Sequence, residues 1–354
     1  MNHPWVSALQ PIPRLDSAAM QQAQARWDSI AKPLHSLGIL ESTIVQMAGI
    51  LETPNVDLGR RAAVVFCADN GVVEEGVTQT GSEITSLVAE NMAKGISCIN
   101  VMAKAAGASV IPVDIGMKET LSIPGLRQEK VAPGTNNITR GPAMTQEQAI
   151  RAMEIGMELV RECKEQGFGV LAAGEMGIGN TTIASAVASV LLQRPPEEVT
   201  GRGAGLSTPG LHRKIQVVWA AIAKNQPDPS SPLDVLAKIG SLDLAGMAGM
   251  FLGGAKYRLP ILIDGVTSAA AALIAVRLCP ACSQTCFACH VSGEPAGPLL
   301  LQALGKQPLL TCGMRLGEAT GAIAALPIID MALTVYHSMG TFQDIHMDPY
   351  QPLE

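Results

Sequence analysis

Aromatic side chains are scarce in this sequence, whose 354 residues include three tryptophans, three tyrosines and five phenylalanines. Hydrophobic residues nevertheless make up 47% of the chain. The core must therefore be built from alanine, valine, isoleucine, leucine and methionine, which pack at close range. The length exceeds what most single cores hold, so we expect one large domain with a smaller satellite. The sequence lacks linkers, repeats and low-complexity runs, since its 35 glycines and 23 prolines are scattered singly.

Positively charged residues are fewer than negatively charged ones, 25 against 31, and the formal net charge is −6. Because binding of a nucleic-acid backbone needs a basic face, we expect no nucleic-acid partner. A small anionic substrate stays possible, since a few local cations suffice to bind it.

The sequence lacks the usual signals of export and membrane insertion. Residues 1–16 contain no charged segment followed by an apolar run, which a secretory signal peptide requires. The most apolar late stretch, residues 319–335, is interrupted by Pro327 and Asp330 and is shorter than a comfortable membrane span. We therefore predict a buried helix there, no membrane partner and a cytoplasmic location.

In that compartment the eight cysteines should be reduced thiols. Four of them lie close together, just before His290: Cys279, Cys282, Cys286 and Cys289. Only three residues separate the two pairs, whereas structural zinc sites need a longer spacer. Residues 286–290 match the c-type haem attachment pattern, but that chemistry belongs to exported proteins, and the spacing differs from the usual iron–sulfur runs. We favour small buried thiols at a helix end and the following strand over a metal site.

Short apolar runs alternate with helical patterns along the chain. Four runs are predicted to be buried strands because their apolar character is continuous: residues 62–69, 108–116, 168–174 and 259–265. The clearest helix begins with the capping-box pair Thr145 and Gln148. Strands that alternate with helices predict an α/β fold with a parallel sheet flanked by helices.

The two chain ends carry helical patterns outside this alternating region. One lies around residues 16–36 and the other follows Gly317. They could pack on each other, and this predicts a small helical domain from residues 1–40 and 328–354. Residues 41–327 would then form the larger domain.

A glycine-rich loop at residues 174–182 follows the third predicted strand and precedes a helical run. Its glycines would let the backbone approach an anion at a helix start, with Asn180 and Thr181 as plausible caps. These glycines are Gly174, Gly177 and Gly179. The alternative is an ordinary strand-to-helix turn. Glu175 favours a ligand site, because a carboxylate in such a loop suits ribose hydroxyls.

A second glycine loop, residues 201–207, contains Gly201 and Gly203 and is followed by Arg213 and Lys214. Backbone donors together with one cation are what a monophosphate needs. The alternative is that both cations belong to a solvated helix face.

Glu318 lies between Gly317 and a long apolar helical run. Near the N-terminal turn of that helix its carboxylate would be kept ionised and could take a proton from a nucleophile. The alternative is ordinary capping by a glutamate. Asp69 and Asp264 each end a predicted strand, where an acid either orients a ligand or caps the strand.

Taken together, the motifs and their order resemble the nicotinate-nucleotide–dimethylbenzimidazole phosphoribosyltransferases, which make the lower ligand of cobamides. The likeness runs nearly end to end through eight segments: KPLHSLGILE, CADNGV, GEMGIGNTT, IAKNQPDP, DLAGMAGMFLGGA, LPILIDG, CHVSGE and MRLGEATGAIAALPI.

This resemblance implies a Rossmann-like parallel sheet with a small helical domain, a homodimer, and neither a metal nor a cofactor. Glu318 would be the catalytic base. The nucleotide phosphate and ribose would be held by residues 174–180, residues 201–205 and Lys214. The substrates would be nicotinate mononucleotide and an aromatic acceptor, here 5,6-dimethylbenzimidazole or a related base.

The acceptor pocket departs from the family pattern. Well-known users of benzimidazole carry a serine and, eight residues on, a glutamine, which align here with Thr80 and Val88. Loss of the amide makes the pocket less polar and leaves phenol or p-cresol as alternative acceptors. Relatives that use phenols pair a catalytic with a non-catalytic paralogue, so a heterodimer is the alternative assembly.

Two other classes of protein fit the sequence less well. A non-catalytic partner subunit would tolerate loss of Glu318 and Lys214, and this chain keeps both. A Rossmann oxidoreductase is disfavoured because an N-terminal dinucleotide loop is missing.

Overall fold

The computed structural model describes residues 5, 7, 9, 11–120 and 122–351. Its centre is a six-stranded sheet in the order β3-β2-β1-β4-β5-β6, and every neighbouring pair is parallel. The strands are β1 Arg60–Ala68, β2 Ser109–Gly116, β3 Arg127–Gln128, β4 Phe168–Met176, β5 Ile261–Ile263 and β6 Cys286–Ala288. The predicted α/β class and parallel sheet are therefore confirmed, and the short strands β3 and β6 are additions.

Helices connect and cover the strands. Within residues 11–120 and 122–351, the first six are α1 Ser17–Ser29, α2 Ile39–Leu51, α3 Glu83–Ala93, α4 Cys98–Ala105, α5 Gln146–Glu165 and α6 Asn180–Leu192. The next seven are α7 Pro196–Val199, α8 Thr208–Asn225, α9 Pro232–Ile239, α10 Leu242–Tyr257, α11 Val266–Leu278, α12 Ala296–Leu304 and α13 Thr320–Ser338. Short 3-10 turns span Gly71–Glu75 and Pro280–Thr285.

Both faces of the sheet are buried. Alternate residues of each strand point to opposite faces, so they belong to different apolar clusters. On β1, Val64 and Phe66 belong to one apolar cluster with side chains of α5 and α10. Ala63 and Val65 belong to a second cluster with side chains of α1, α2 and α13. This two-sided burial explains the continuous apolar runs that predicted the strands.

Two local predictions about helix starts have opposite outcomes. The capping box at Thr145 is confirmed, since Thr145 and Gln148 bond to each other's backbone at the start of α5. The expected capping by Asn180 or Thr181 is wrong. Gly179 is the N-cap of α6, with φ +94°. Asn180 is instead the first residue of that helix, and its side-chain amide donates a hydrogen bond to the Glu175 carboxylate.

Helices α5 and α10 pack at very short range through glycines. A Cβ atom at Gly249 would overlap the carbonyl of Met153, and one at Gly156 would overlap the carbonyl of Gly246. Backbone groups inside two packed helices cannot yield as a flexible side chain would. This close approach lets small residues replace the missing aromatics in filling the core.

Gly249→Ala should therefore destabilise the protein despite the better helix propensity of alanine. We expect the free energy of unfolding to fall by about 1–3 kcal/mol, the usual cost of overpacking. Denaturant unfolding measures it, with Gly141→Ala as control because nothing lies within 4 Å of a Cβ at that position. Equal stability of the two variants would contradict the packing argument.

The helices at the chain ends are in contact. The rings of Trp27 and Tyr336 lie 5.2 Å apart, and Arg26 donates to the Tyr336 carbonyl at 2.9 Å. Ile30 and Thr341 form an isolated antiparallel bridge. Trp27, Ile30 and Tyr336 share the second apolar cluster with β1. The division into two domains at residues 40 and 328 stays a prediction.

Helix α13 and the cysteine cluster were both singled out from the sequence. Among the described residues, α13 is long and apolar enough to cross a membrane, and half of its apolar window is buried inside the protein. One such helix is weak evidence for a span. The thiols of Cys279, Cys282, Cys286 and Cys289 are buried. Burial raises the pKa of Cys286 to about 12, so this thiol is unreactive.

Candidate active site

A cavity of about 320 Å³ opens at the carboxyl ends of the strands. The chain order reverses between β1 and β4, and ligands of parallel α/β sheets bind at such a switch point. Residues from the ends of β4 and α6, from two glycine loops and from the segment before α13 meet there. The lining comprises residues 77–80, 175–181, 202–204, 206, 214, 315, 316 and 318.

Glu175 lies at the end of β4 with 8% of its surface exposed. The Asn180 amide donates a hydrogen bond to it, which fixes the carboxylate at the start of α6. Gly317 packs directly against Glu175: a Cβ there would come 2.6 Å from its Oε1, and Gly317 has φ +87°. Glycine is therefore required at this position on two grounds.

Glu318 follows Gly317 and is likewise 8% exposed. As predicted, it lies near the N-terminal turn of a helix, immediately before Ala319, the N-cap of α13. The alternative of a capping glutamate inside the first turn is wrong, because α13 begins at Thr320. Glu318 and Ala319 have φ +60° and +65°, a conformation that is rare outside glycine. A Cβ at Gly174 would lie 2.6 Å from the Ala319 nitrogen, so glycine lets this segment lie on β4.

The site concentrates buried negative charge. Burial and the nearby Asp264 carboxylate raise the pKa of Glu318, opposed by the backbone N–H of Ile99 in the first turn of α4. The backbone N–H that favours the ionised Glu318 carboxylate therefore belongs to α4 and not to α13, the helix expected from the sequence. Burial and the charges of Asp243, Asp264 and Glu318 raise the pKa of Glu175 well above its usual range. Such a carboxylate cluster favours a ligand that is, or becomes, cationic.

Lys214 supplies a buried cation to the same cavity. It lies on α8 with 1% of its surface exposed, and its Nζ donates to Thr181 Oγ1 at 2.8 Å. Burial lowers the pKa of Lys214 to about 8, partly offset by the Glu294 charge. A Cβ at Gly203 would lie 3.3 Å from the Nζ atom. The alternative of a solvated helix face is therefore wrong for Lys214.

Glu294 holds the second glycine loop. Its Oε1 accepts the Gly203 backbone N–H at 3.0 Å, and a Cβ at Gly201 would overlap its other oxygen. Gly201 thus lets the loop lie close to this buried acid, which is 5% exposed, while Gly203 lets it lie close to Thr181. In the first loop, Gly177 packs closely on the Ala68 carbonyl.

Comparisons with known proteins agree with this geometry. A family model described as phosphoribosyltransferase matches residues 12–346. A nicotinate-nucleotide–dimethylbenzimidazole phosphoribosyltransferase of Ruminiclostridium cellulolyticum is 46% identical, over 98% of this chain and 99% of that protein. One of Escherichia coli strain SE11 is 44% identical, over 94% and 93%. The chain belongs to this phosphoribosyltransferase family.

The fold of the family is shown by a solved relative as well. The crystal structure of CobT from Thermus thermophilus superposes with a TM-score of 0.89 at 41% identity, and covers 94% of this chain and 100% of that one. The Rossmann-like sheet implied by the sequence resemblance is therefore confirmed. The chain is a member of an enzyme family, as the motifs indicated.

The two positions aligned with the acceptor pocket of the family are separated by the structure. Thr80 is exposed and lines the cavity. Its loop is tied to the second glycine loop, since Gln79 donates to the Gly205 carbonyl. Val88 is half-buried on α3 and packs against the second apolar cluster, outside the cavity lining.

Sequence reasoning missed several residues that the structure brings to the site. Thr181 was considered only as a cap, but its hydroxyl accepts from Lys214. Arg202, Arg315 and Leu316 line the cavity. Glu294 lies in the segment CHVSGE, which carried the family resemblance, so a signal was present although the contact with Gly203 was not visible.

Proposed function

We propose that this enzyme transfers the ribose phosphate group of nicotinate mononucleotide to 5,6-dimethylbenzimidazole or a related base. The product would be an α-ribosyl phosphate for the lower ligand of a cobamide. The observation that carries the proposal is a single cavity lined by two buried carboxylates, Glu175 and Glu318, and one buried lysine, Lys214. The substrate has matching charges, a pyridinium and a phosphate.

The phosphate would bind at Lys214. The Thr181 hydroxyl accepts a hydrogen bond from this ammonium group, and its own proton would be available to a phosphate oxygen. Gly201, bound closely to Glu294, would hold the second glycine loop in place. The ribose would lie along the first glycine loop, where Gly177 and Gly179 line the cavity and Glu175 and Asn180 offer acceptor and donor groups. Gly174 lies outside the lining and acts by letting the Ala319 backbone pack on β4.

The chemistry needs one base and no acid. The C1′–N bond of the nucleotide breaks with its electron pair moving to the pyridinium nitrogen, so nicotinate leaves with a neutral ring nitrogen. A lone pair of the acceptor nitrogen forms the new bond to C1′ from the opposite face, which inverts a β-nucleotide to an α-product. The second nitrogen of the azole loses its proton to Glu318.

The carboxylate cluster would stabilise the positive charge that develops on the sugar during transfer. Glu175 and Glu318 face the cavity, and the buried Asp243 and Asp264 are close enough for their charges to act on Glu175. Fixed charges in a buried site act on such a transition state without reorganisation. Gly317 contributes by allowing Glu175 and the Glu318 segment to lie side by side.

The aromatic acceptor would bind among the apolar side chains of the cavity, near Thr80. Val77, Met176, Ile178 and Leu316 are available for contact with a flat ring. Val88 would act through the packing of α3 rather than by direct contact. A phenol remains an alternative acceptor, since Glu318 could also deprotonate a hydroxyl.

A competition assay tests the proposal. The purified chain is given nicotinate mononucleotide with dimethylbenzimidazole, adenine, phenol and p-cresol, and the products are separated by mass and by anomeric configuration. An α-ribosyl phosphate of dimethylbenzimidazole as the main product is the expected result. Preference for a phenol would show that a phenol, and not dimethylbenzimidazole, is the acceptor. Absence of product with every acceptor would refute transfer activity of this chain alone.

We also propose a cytoplasmic homodimer as the working form. Light scattering of the purified protein measures the assembly. A requirement for a co-expressed paralogue would favour the heterodimer.

A further inference from the structure

Asp264 makes three hydrogen bonds to the backbone around the start of α13. It directly follows β5 and is 3% exposed. Its Oδ2 accepts from the Ala319 N–H at 3.1 Å, and its Oδ1 accepts from Gly321 at 2.7 Å and from Ala322 at 3.0 Å. The acid thus satisfies the free N–H groups at the beginning of this helix from another part of the chain.

The segment that Asp264 binds is strained. Glu318 and Ala319 are consecutive non-glycine residues in the left-handed region. Such conformations persist where the surroundings fix them, and they cluster at functional sites. Of the three N–H groups that bind Asp264, the one of Ala319 is nearest in sequence to Glu318. Its bond to Asp264 therefore fixes the turn that directs the Glu318 carboxylate into the cavity.

The carboxylate of Asp264 is itself held in place. His290 is 4% exposed and its Nε2 lies 3.7 Å from Asp264 Oδ1. The imidazole packs so closely on Gly321 that a Cβ there would overlap it. Asp264 is therefore enclosed by β5, the start of α13 and the segment that follows the Cys286–Ala288 strand.

We propose that Asp264 is the positioning residue of the transfer reaction, fixing Glu318 in its productive orientation through the Ala319 backbone. This inference rests on the proposed function. The charge of Asp264 supports it, because the same carboxylate raises the pKa of Glu318. The other carboxylate beside Glu318 is Glu175 on β4, which also feels the charges of Asp264 and of Asp243 on α10. The His290 imidazole lies on the far side of Asp264, with its Nε2 3.7 Å from Asp264 Oδ1.

Asp264→Asn tests the proposal. An amide keeps one acceptor oxygen but turns an NH₂ group toward the backbone donors, so the turn at Ala319 loses its bond. We expect kcat to fall by about 100-fold, as for a misplacement of a catalytic group by 1 Å. The Kd for nicotinate mononucleotide should stay within about threefold of the wild-type value, since Lys214 is untouched. Wild-type kcat would overturn the inference.

Two readouts separate positioning from general stabilisation. Loss of the negative charge lowers the pKa of Glu318, so the acidic limb of the kcat/KM profile should move to lower pH. In the Glu318→Gln background, Asp264→Asn should cost only a few-fold more, because both changes disable one unit. An unmoved acidic limb together with additive losses would assign Asp264 a structural role only.

Asp16→Asn is the matched control. Asp16 also accepts two backbone N–H groups at a helix start, from Ala18 and Ala19 at 2.9 and 3.0 Å, but as the N-cap of α1 itself, and it lies outside the cavity lining. Its variant should keep wild-type kcat.

If Asp264→Asn does not fold, Asp264→Glu takes its place, keeping the charge but shifting the carboxylate by one methylene. The fall in kcat should then be similar to that expected for Asp264→Asn, and the acidic limb of the kcat/KM profile should stay at the wild-type pH because the charge is kept. Wild-type kcat in Asp264→Glu would again refute the positioning role. A wild-type enzyme without transfer activity would refute the proposed function instead.

Discussion

Replacement of Glu318 by glutamine is expected to reduce turnover by about 100-fold or more with dimethylbenzimidazole, within the range for loss of a general base. The amide has nearly the same shape but takes up no proton. Burial of Glu318 and its unpaired Oε2 atom raise the cost of its charge, so the glutamine variant should be at least as stable as the wild type. Single-turnover assays and thermal unfolding measure the two effects.

The size of the loss should depend on the acceptor. In an azole the attacking nitrogen has a free lone pair, and the base removes a proton from the other nitrogen. In a phenol the attacking oxygen itself carries the proton, so the loss in turnover should be larger. Turnover within a few-fold of the wild type with both acceptors would remove Glu318 from the role of base.

The pH dependence of turnover follows from the same residue. The pKa of Glu318 is raised by burial and by Asp264. Since only the ionised carboxylate accepts a proton, activity should rise with pH through a value above the usual 4.5 of a glutamate. The acidic limb should be absent in the Glu318→Gln variant.

Lys214→Met should weaken binding of nicotinate mononucleotide by about 10- to 100-fold, the value of one charged hydrogen bond. The methionine has a similar length and is compatible with a site that is 1% exposed. Calorimetric titration measures the Kd. Lys224→Met, an exposed lysine on the same helix, serves as control and should bind like the wild type. Unchanged affinity in Lys214→Met would refute the phosphate site.

Binding should also depend on pH through Lys214. Its pKa is lowered to about 8, so the free enzyme loses this charge in mildly alkaline solution. The bound phosphate stabilises the ammonium form, and the Kd should therefore rise about tenfold between pH 7 and pH 9. The phosphate is already a dianion over this range and adds no dependence of its own. The effect should vanish in Lys214→Met.

Much of the fold was predictable because it depends on local patterns. Four continuous apolar runs identified four of the strands, since each is buried on both faces. The capping box at Thr145 was readable from two residues three apart. Strands β3 and β6, of two and three residues, are too short to leave a periodic signal. The N-cap of α6 was missed because a glycine, rather than a polar side chain, occupies it.

The sequence by itself determined the class of fold, the family and several of the residues that meet in the cavity, among them Glu175, Lys214 and Glu318. Glycines beside Glu175, Lys214 and Glu318 were informative because each occupies a turn or a close contact. Only the tertiary structure decided how these groups behave. The burial of Lys214, the strained turn at Glu318 and the bonds from Asp264 to the start of α13 join residues far apart in the chain. Charge, burial and strain depend on those distances in space, and spacing along the sequence does not contain them.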